Sequence, residues 1–442
     1  MNPKIATATG SAAMASGSAP TATRRSETPP VDADAAVIAD RCLTALVAAR
    51  VVDPDSGEAG WPAWSLTDPA TPARMALDDL SLYNGDAGIA WALGSLGSAL
   101  GRPDLAETGR RAAYRALSHP EAIPSDGLLS GWAGVALAAA ANGLDPGQIG
   151  GHPAGSDLTD GVAGVLLAQA RTGGPVDREA VRLLARRGLP QEIGWAWADR
   201  DPDGAPASDA EPLGSASDGH APEVPLPAPL LGLAHGASGV ALALVEAAAA
   251  DPRLTAGLAL AVGGLAWESG WFEPLQGWPD LRADGAEFPV WWCHGAAGIT
   301  AVRLRLLQLA DGGVDLGMPR ASLRAQVHAG VQLCGEYVVG AVAAAEAGDP
   351  PAGGLTLCHG LGGALDTLAL AAEVTGDDGH RAQAAQALVR VAATTGEDPM
   401  GWPCGIRQAG SSSLFLGLAG VAMIAARLAW PDAGVPCPSL LR

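Results

Sequence analysis

Two cysteine–histidine pairs stand out in the 442-residue sequence for the chemistry they could share. Cys293-His294 lies in WWCHG and Cys358-His359 in LCHG, each directly before a glycine, and a third histidine, His235, precedes the glycine of LAHG. Thiolate and imidazole are donors that suit Zn²⁺. Two cysteines and one histidine leave the fourth tetrahedral position open, whereas a Cys-His-Cys-His set that includes His294 closes it; spacing does not choose between them. The charge of the open set points to a reaction. Two thiolates neutralise the ion, so a thiol arriving at the open position loses its proton yet keeps an electron-rich sulfur. A three-histidine zinc would be the better generator of hydroxide. The donor set therefore favours alkylation of a thiol over hydrolysis.

Adjacent residues inside a regular helix point about 100° apart and rarely chelate one ion together. At a glycine-led helix entry the backbone is not yet helical, and both Cys358 and His359 can face one metal. Such entries recur. Gly-x-x-Gly followed by an apolar run occurs at Gly85/Gly88, Gly131/Gly134, Gly161/Gly164, Gly236/Gly239, Gly295/Gly298, Gly360/Gly363 and Gly417/Gly420. The first glycine of each pair is expected to give a sharp entry at positive φ, the second a close helix approach. The runs that follow are dominated by Ala, Val, Leu and Ile, and a helix apolar all round is buried on every side. Between them lie segments charged on one face, such as LAETGRRAAYRALSH and REAVRLLARRG. Buried helices alternating with half-exposed ones predict an all-α fold, an α/α toroid of seven inner and seven outer helices. Equivalent turns of a toroid gather at one end, which brings Cys293, Cys358 and His235 together. Four Gly-Trp turns, at Trp61, Trp195, Trp278 and Trp402, read as loop anchors on the rim.

Composition narrows the function classes. The net charge of −20 argues against sequence-independent nucleic-acid binding, which needs a positive patch. No apolar run reaches the roughly 18 residues of a membrane span, so the chain is expected not to cross one. Residues 1–33 read as a disordered tail without a secretory signal, which suggests a cytoplasmic protein, and 34–442 as one ordered domain. Within it, the stretch 199–229, rich in Pro, Gly, Ser and Asp, reads as a disordered insertion. Six cysteines are too few for a disulfide framework in a chain this long.

The combination of WCHG, CHG and a preceding Gly-x-x-His-Gly turn, in that order, resembles the LanC-like lanthionine synthetase family, with LYNGDAGIA similar to its opening repeat and LFLGLAGV to its closing one. The resemblance runs from about Leu82 to Leu428. It implies Cys293, Cys358 and His359 as Zn²⁺ ligands, with His294 at a position the family varies. It implies His235 as an acid/base residue and Asp157, in SDLTDGVAG, as the active-site aspartate, with Asp160 its nearer rival. An arginine that the family often carries just before the first ligand cysteine is replaced here by Phe288-Pro289-Val290. The implied reaction adds cysteine thiols to dehydroalanine or dehydrobutyrine in a dehydrated precursor peptide. A separate dehydratase, and an exporter, are the implied partners. Addition of glutathione to dehydroamino acids in proteins and a non-catalytic peptide-binding scaffold are the competing readings within the family. A toroidal glycosidase is disfavoured, since Asp86, Asp157 and Asp160 are the acidic residues at the repeat turns.

Overall fold

The structure, a computed structural model, describes residues 29–52, 57–64, 75–198, 228–283, 287–351, 353–404 and 410–442. The tail predicted over 1–33 and the insertion predicted over 199–229 lie outside the described residues, except for 29–33 and 228–229.

Seven apolar helices form the inner layer: α2 (Asp86–Ala99), α4 (Trp132–Ala141), α5 (Val162–Thr172), α7 (Ala237–Ala250), α9 (Ala296–Asp311), α11 (Leu361–Thr375) and α13 (Leu418–Ala429). Each packs on the next and α13 returns to α2, which closes the ring. The half-exposed segments form the outer layer: α1 (Ala33–Ala48), α3 (Pro103–Ser118), α6 (Arg178–Arg187), α8 (Ala256–Ser269), α10 (Arg320–Glu346) and α12 (Asp378–Thr394). The all-α toroid is as predicted, with one difference in detail. Among the described residues the outer layer has six α-helices, because the connection from α4 to α5, rich in Gly and Pro, contains none. Helix α10 has 27 residues and is long and apolar enough by composition to cross a bilayer, unlike the sequence expectation. It instead packs on α9, α11 and α12 in the outer layer. Three two-stranded ribbons (51–52 with 59–60, 63–64 with 75–76 and 189–190 with 195–196) decorate the connections.

All seven inner helices begin in the same way. The glycine is the N-cap and supplies no side-chain hydrogen bond. The first helical N–H instead donates to a carbonyl at one constant offset back along the chain: Asp86 to Asp79, Trp132 to Ser125, Val162 to Gly155, Ala237 to Leu230, Ala296 to Pro289, Leu361 to Gly354 and Leu418 to Ser411. A donor that the helix cannot satisfy is thus satisfied by the turn before it. This fold-back, and not the expected positive φ, is why the first residue is glycine. Six of the seven have negative φ; Gly295, at +121°, is the exception. A Cβ on Gly85 would stand 2.2 Å from the Asp79 oxygen. The glycine makes room.

Three of the four tryptophan turns are buried anchors, as expected, and Trp195 is half-buried against the core. Trp61, Trp278 and Trp402 are fully buried, with the Trp61 indole donating to the Leu46 carbonyl.

Candidate active site at one mouth of the ring

The seven turns are joined by a closed belt of backbone hydrogen bonds. Tyr83 donates to Leu129, Leu129 to Thr159, Thr159 to Ala234, Ala234 to Cys293, Cys293 to Cys358, Cys358 to Phe415, and Phe415 back to Tyr83, at 2.8–3.3 Å. Every member stands two residues before its repeat glycine. The belt sets the site's geometry from the sequence register alone. Cys293 and Cys358, far apart in the chain, become neighbours because their turns are consecutive. His235, His294 and His359 occupy the next position along in three consecutive turns.

The two cysteines act on each other. Hydrogen bonding between the thiols is the largest influence on both: it lowers the pKa of Cys293 and, with burial, raises that of Cys358 well above the ordinary thiol value. Cys293 is thus the more acidic member of the pair. Tyr83, from the first turn, also bonds to Cys358; burial first, then this contact, raises its phenol. Arg282 faces the same pair. Partial burial opposes its charge, but the Asp280 hydrogen bonds and the attraction of Cys293 and Cys358 outweigh this. Asp280 is buried and holds the guanidinium at 2.7–3.3 Å.

Beside the cysteines stands a histidine–aspartate pair. His235 Nδ1 donates to Asp157 Oδ2 at 2.8 Å, while Asp157 Oδ1 accepts from the N–H groups of Asp160 and Gly161, both at 2.9 Å. The aspartate is thus fixed by its own turn. A carboxylate on Nδ1 favours the tautomer protonated there, in which Nε2 is the basic nitrogen. Asp160, the rival in sequence, bonds to Ser130 on the neighbouring turn instead. The His294 ring stacks on His235 with centroids 5.7 Å apart and bonds through Nδ1 to the Leu231 carbonyl. Burial, then Arg282 and His235, push its pKa down to about 4, so the stack is not a pair of cations at neutral pH.

His359 lies edge-on to Trp291, centroids 6.4 Å apart, and burial lowers its pKa toward the neutral imidazole. Among the described residues, no group of three His, Cys, Asp or Glu side chains stands in metal-binding geometry. The structure therefore brings Cys293 to Cys358 and Asp157 to His235, and sets His359 one position along the turn from Cys358. As a donor set, a thiol pair with one acidic member and a neutral imidazole fit the N/S preference of Zn²⁺.

Three residues at this mouth went unread in the sequence: Tyr83, Asp280 and Arg282. Tyr83 had a signal, since it holds the same offset from its glycine as the two cysteines. The Asp280–Arg282 pair lies in an irregular connection with no repeat to point to it. No arginine precedes Cys293 closely, yet one reaches the cysteines from further back.

This chain belongs to a family whose sequence model, described as lanthionine synthetase C-like protein, matches residues 214–441. Among solved structures, nisin cyclase is similar in fold, with a TM-score of 0.52 at 14% identity over 83% of this chain and 93% of that one. No curated protein matches the sequence.

Proposed function

We propose that the chain is a lanthipeptide-cyclase-type enzyme that joins a peptide cysteine to dehydroalanine or dehydrobutyrine in a dehydrated precursor. The observation that supports this reading best is the convergence, at one mouth, of a paired-thiol site with a carboxylate-fixed histidine. In the reaction, the S–H adds across a carbon–carbon double bond. Sulfur bonds to the β-carbon, the α-carbon becomes an enolate, and a proton returns to it, so nothing leaves.

Cys293, Cys358 and His359 are the residues that would hold Zn²⁺. When bound, the ion supplies acidification of an incoming thiol without quenching its nucleophilicity. The chain's own groups carry the proton and the charge. His235, with Asp157 on Nδ1, takes a proton at Nε2, and the carboxylate stabilises the imidazolium that forms. The same Nε2 proton is then available to the α-carbon. Arg282, held by Asp280, offers fixed positive charge where the enolate oxygen develops. Dehydration of the precursor falls to a separate enzyme.

The test is to mix purified protein with a dehydrated, cysteine-containing peptide, with and without a chelator, and count free thiols. Metal-dependent thiol loss without change in peptide mass supports cyclisation. Thiol loss only when glutathione is added supports the intermolecular alternative. Unchanged thiols under both conditions would overturn the enzymatic reading.

A further inference from the structure

Behind the His235 turn lies an ion pair that stability does not explain. Glu268 on α8 and Arg303 on α9 are both fully buried and meet at 2.7 Å. Taking two charges out of water costs several kcal/mol per ion, and apolar residues of similar volume often serve a core as well or better. The pair's value must lie in what it holds.

Glu268 Oε1 accepts from the Gly232 N–H at 2.8 Å and Oε2 accepts from the Ser238 hydroxyl at 2.5 Å. Gly232 and Ser238 flank His235 by equal distances along the chain. One carboxylate thus grips the turn on both sides of its histidine. Arg303 locks the grip: NH1 donates to Ser238 Oγ at 2.8 Å, Nε donates to Gln326 Oε1 at 3.1 Å, and the guanidinium lies over Trp278, 5.2 Å from the ring centroid.

The gripped turn sits between the two halves of the site. Its Leu233 and Ala234 N–H groups both donate to the Cys293 carbonyl at 3.1 Å. Gly232, at φ +105°, lies so close that a Cβ there would stand 2.6 Å from that same oxygen. On the other side the Ala234 carbonyl accepts from Leu158 and Thr159, beside Asp157. Whatever fixes this turn fixes His235 against both partners.

We propose that Glu268, locked by Arg303, is a positioning residue that sets the His235 ring in register with Asp157 and the Cys293 turn. The proposal rests on the cyclase reading for its kinetic arm only. A natural control lies nearby and shares helix α9. Glu246 on α7 pairs with Arg305 on α9 at 2.5 Å and with Arg171 at 2.9 Å, further along both helices from the turns.

The experiment compares Glu268→Gln, Ser238→Ala and Glu246→Gln in the full chain. It measures peptide cyclisation kinetics, the melting temperature, and the NMR resonance of the His235 Nδ1 proton, assigned by its loss in His235→Asn. In Glu268→Gln, kcat is expected to fall about 10- to 100-fold, as when a supporting partner of a site is lost. KM stays within about twofold, and the Nδ1 proton resonance broadens or shifts. Ser238→Ala moves the same observables less. Glu246→Gln lowers the melting temperature while kcat and the resonance hold. If Glu268→Gln behaves like Glu246→Gln, the pair is only structural and the proposal falls. Should Glu268→Gln fail to fold, Ser238→Ala decides, since it leaves both charges paired; an unmoved resonance there overturns the proposal. Were the wild type inactive on every peptide, the cyclase reading would fail, and the resonance would still test Glu268.

Discussion

Four of the seven turns of the belt present the residues proposed to carry chemistry and three do not, on the same backbone. The third to sixth turns present Asp157, His235, Cys293 with His294, and Cys358 with His359; the seventh, first and second present Phe415, Tyr83 and Leu129 at the belt position. Both groups close their helix entries with the same hydrogen bond at the same offset. The repeat therefore supplies the scaffold, and the proposed reactivity depends on which side chains stand one, two and four positions before the glycine. Tyr83 is the seam, a member of the quiet group whose hydroxyl reaches Cys358.

The sharpest way to break this comparison is to exchange equivalent slots. Cys293→Ala and Cys358→Ala are expected to reduce cyclisation by about 10⁴-fold, as removal of groups that activate a nucleophile does, and to lower bound zinc measured by elemental analysis. Leu129→Ala, at the same slot in the quiet group, should cost about 3 kcal/mol of stability through its cavity. Its activity per folded molecule should not change. Next comes the acid–base pair. His235→Asn should cost about 10³-fold in kcat, with Asp157→Asn acting in the same direction by presenting a donor to Nδ1.

A third prediction moves from the mouth to the far part of the inner helices. Burial pushes the Glu246 carboxyl up, but the Arg305 hydrogen bond and the charges of Arg171 and Arg305 outweigh it and hold the pKa at about 2, against an ordinary 4.5. The folded state thus favours the ionised form. Its contribution, about 3 kcal/mol, is present above pH 4.5 and is lost as pH falls through 2. Urea midpoints measured from pH 5 to pH 2 should fall steeply in the wild type and less so in Glu246→Gln. The smallest effect tests the seam. Tyr83→Phe removes one hydrogen bond to Cys358 and should slow cyclisation about fivefold, the equivalent of about 1 kcal/mol.

The ring and its reactive cysteines were legible because the repeat glycine is imposed by space. No side chain fits where the turn folds back over its own helix entry, so the glycines mark equivalent slots, and Cys293 and Cys358 share one. The reason given for those glycines was not legible. A tight fold-back at ordinary negative φ leaves the same mark on the sequence as a left-handed residue. Asp157 and Asp160 could not be separated from sequence, since both precede one helix and only the fold shows which one meets His235. Tyr83 went unread although it holds the slot of the two cysteines, because a phenol there suggests no metal ligand. Arg282 lies in an aperiodic connection, and its approach to the cysteines depends on the path of a loop. The α4–α5 connection should have been read as lacking an outer helix, since Pro146, Pro153 and several glycines interrupt it.

A belt whose last link returns to its first has no loose end from which to unravel, and none from which to begin. Every residue proposed to carry the chemistry has been synthesised once His359 emerges. Yet the Cys358 N–H waits for the Phe415 carbonyl, and Phe415 in turn for Tyr83. The proposed site is thus complete only when the circle is shut.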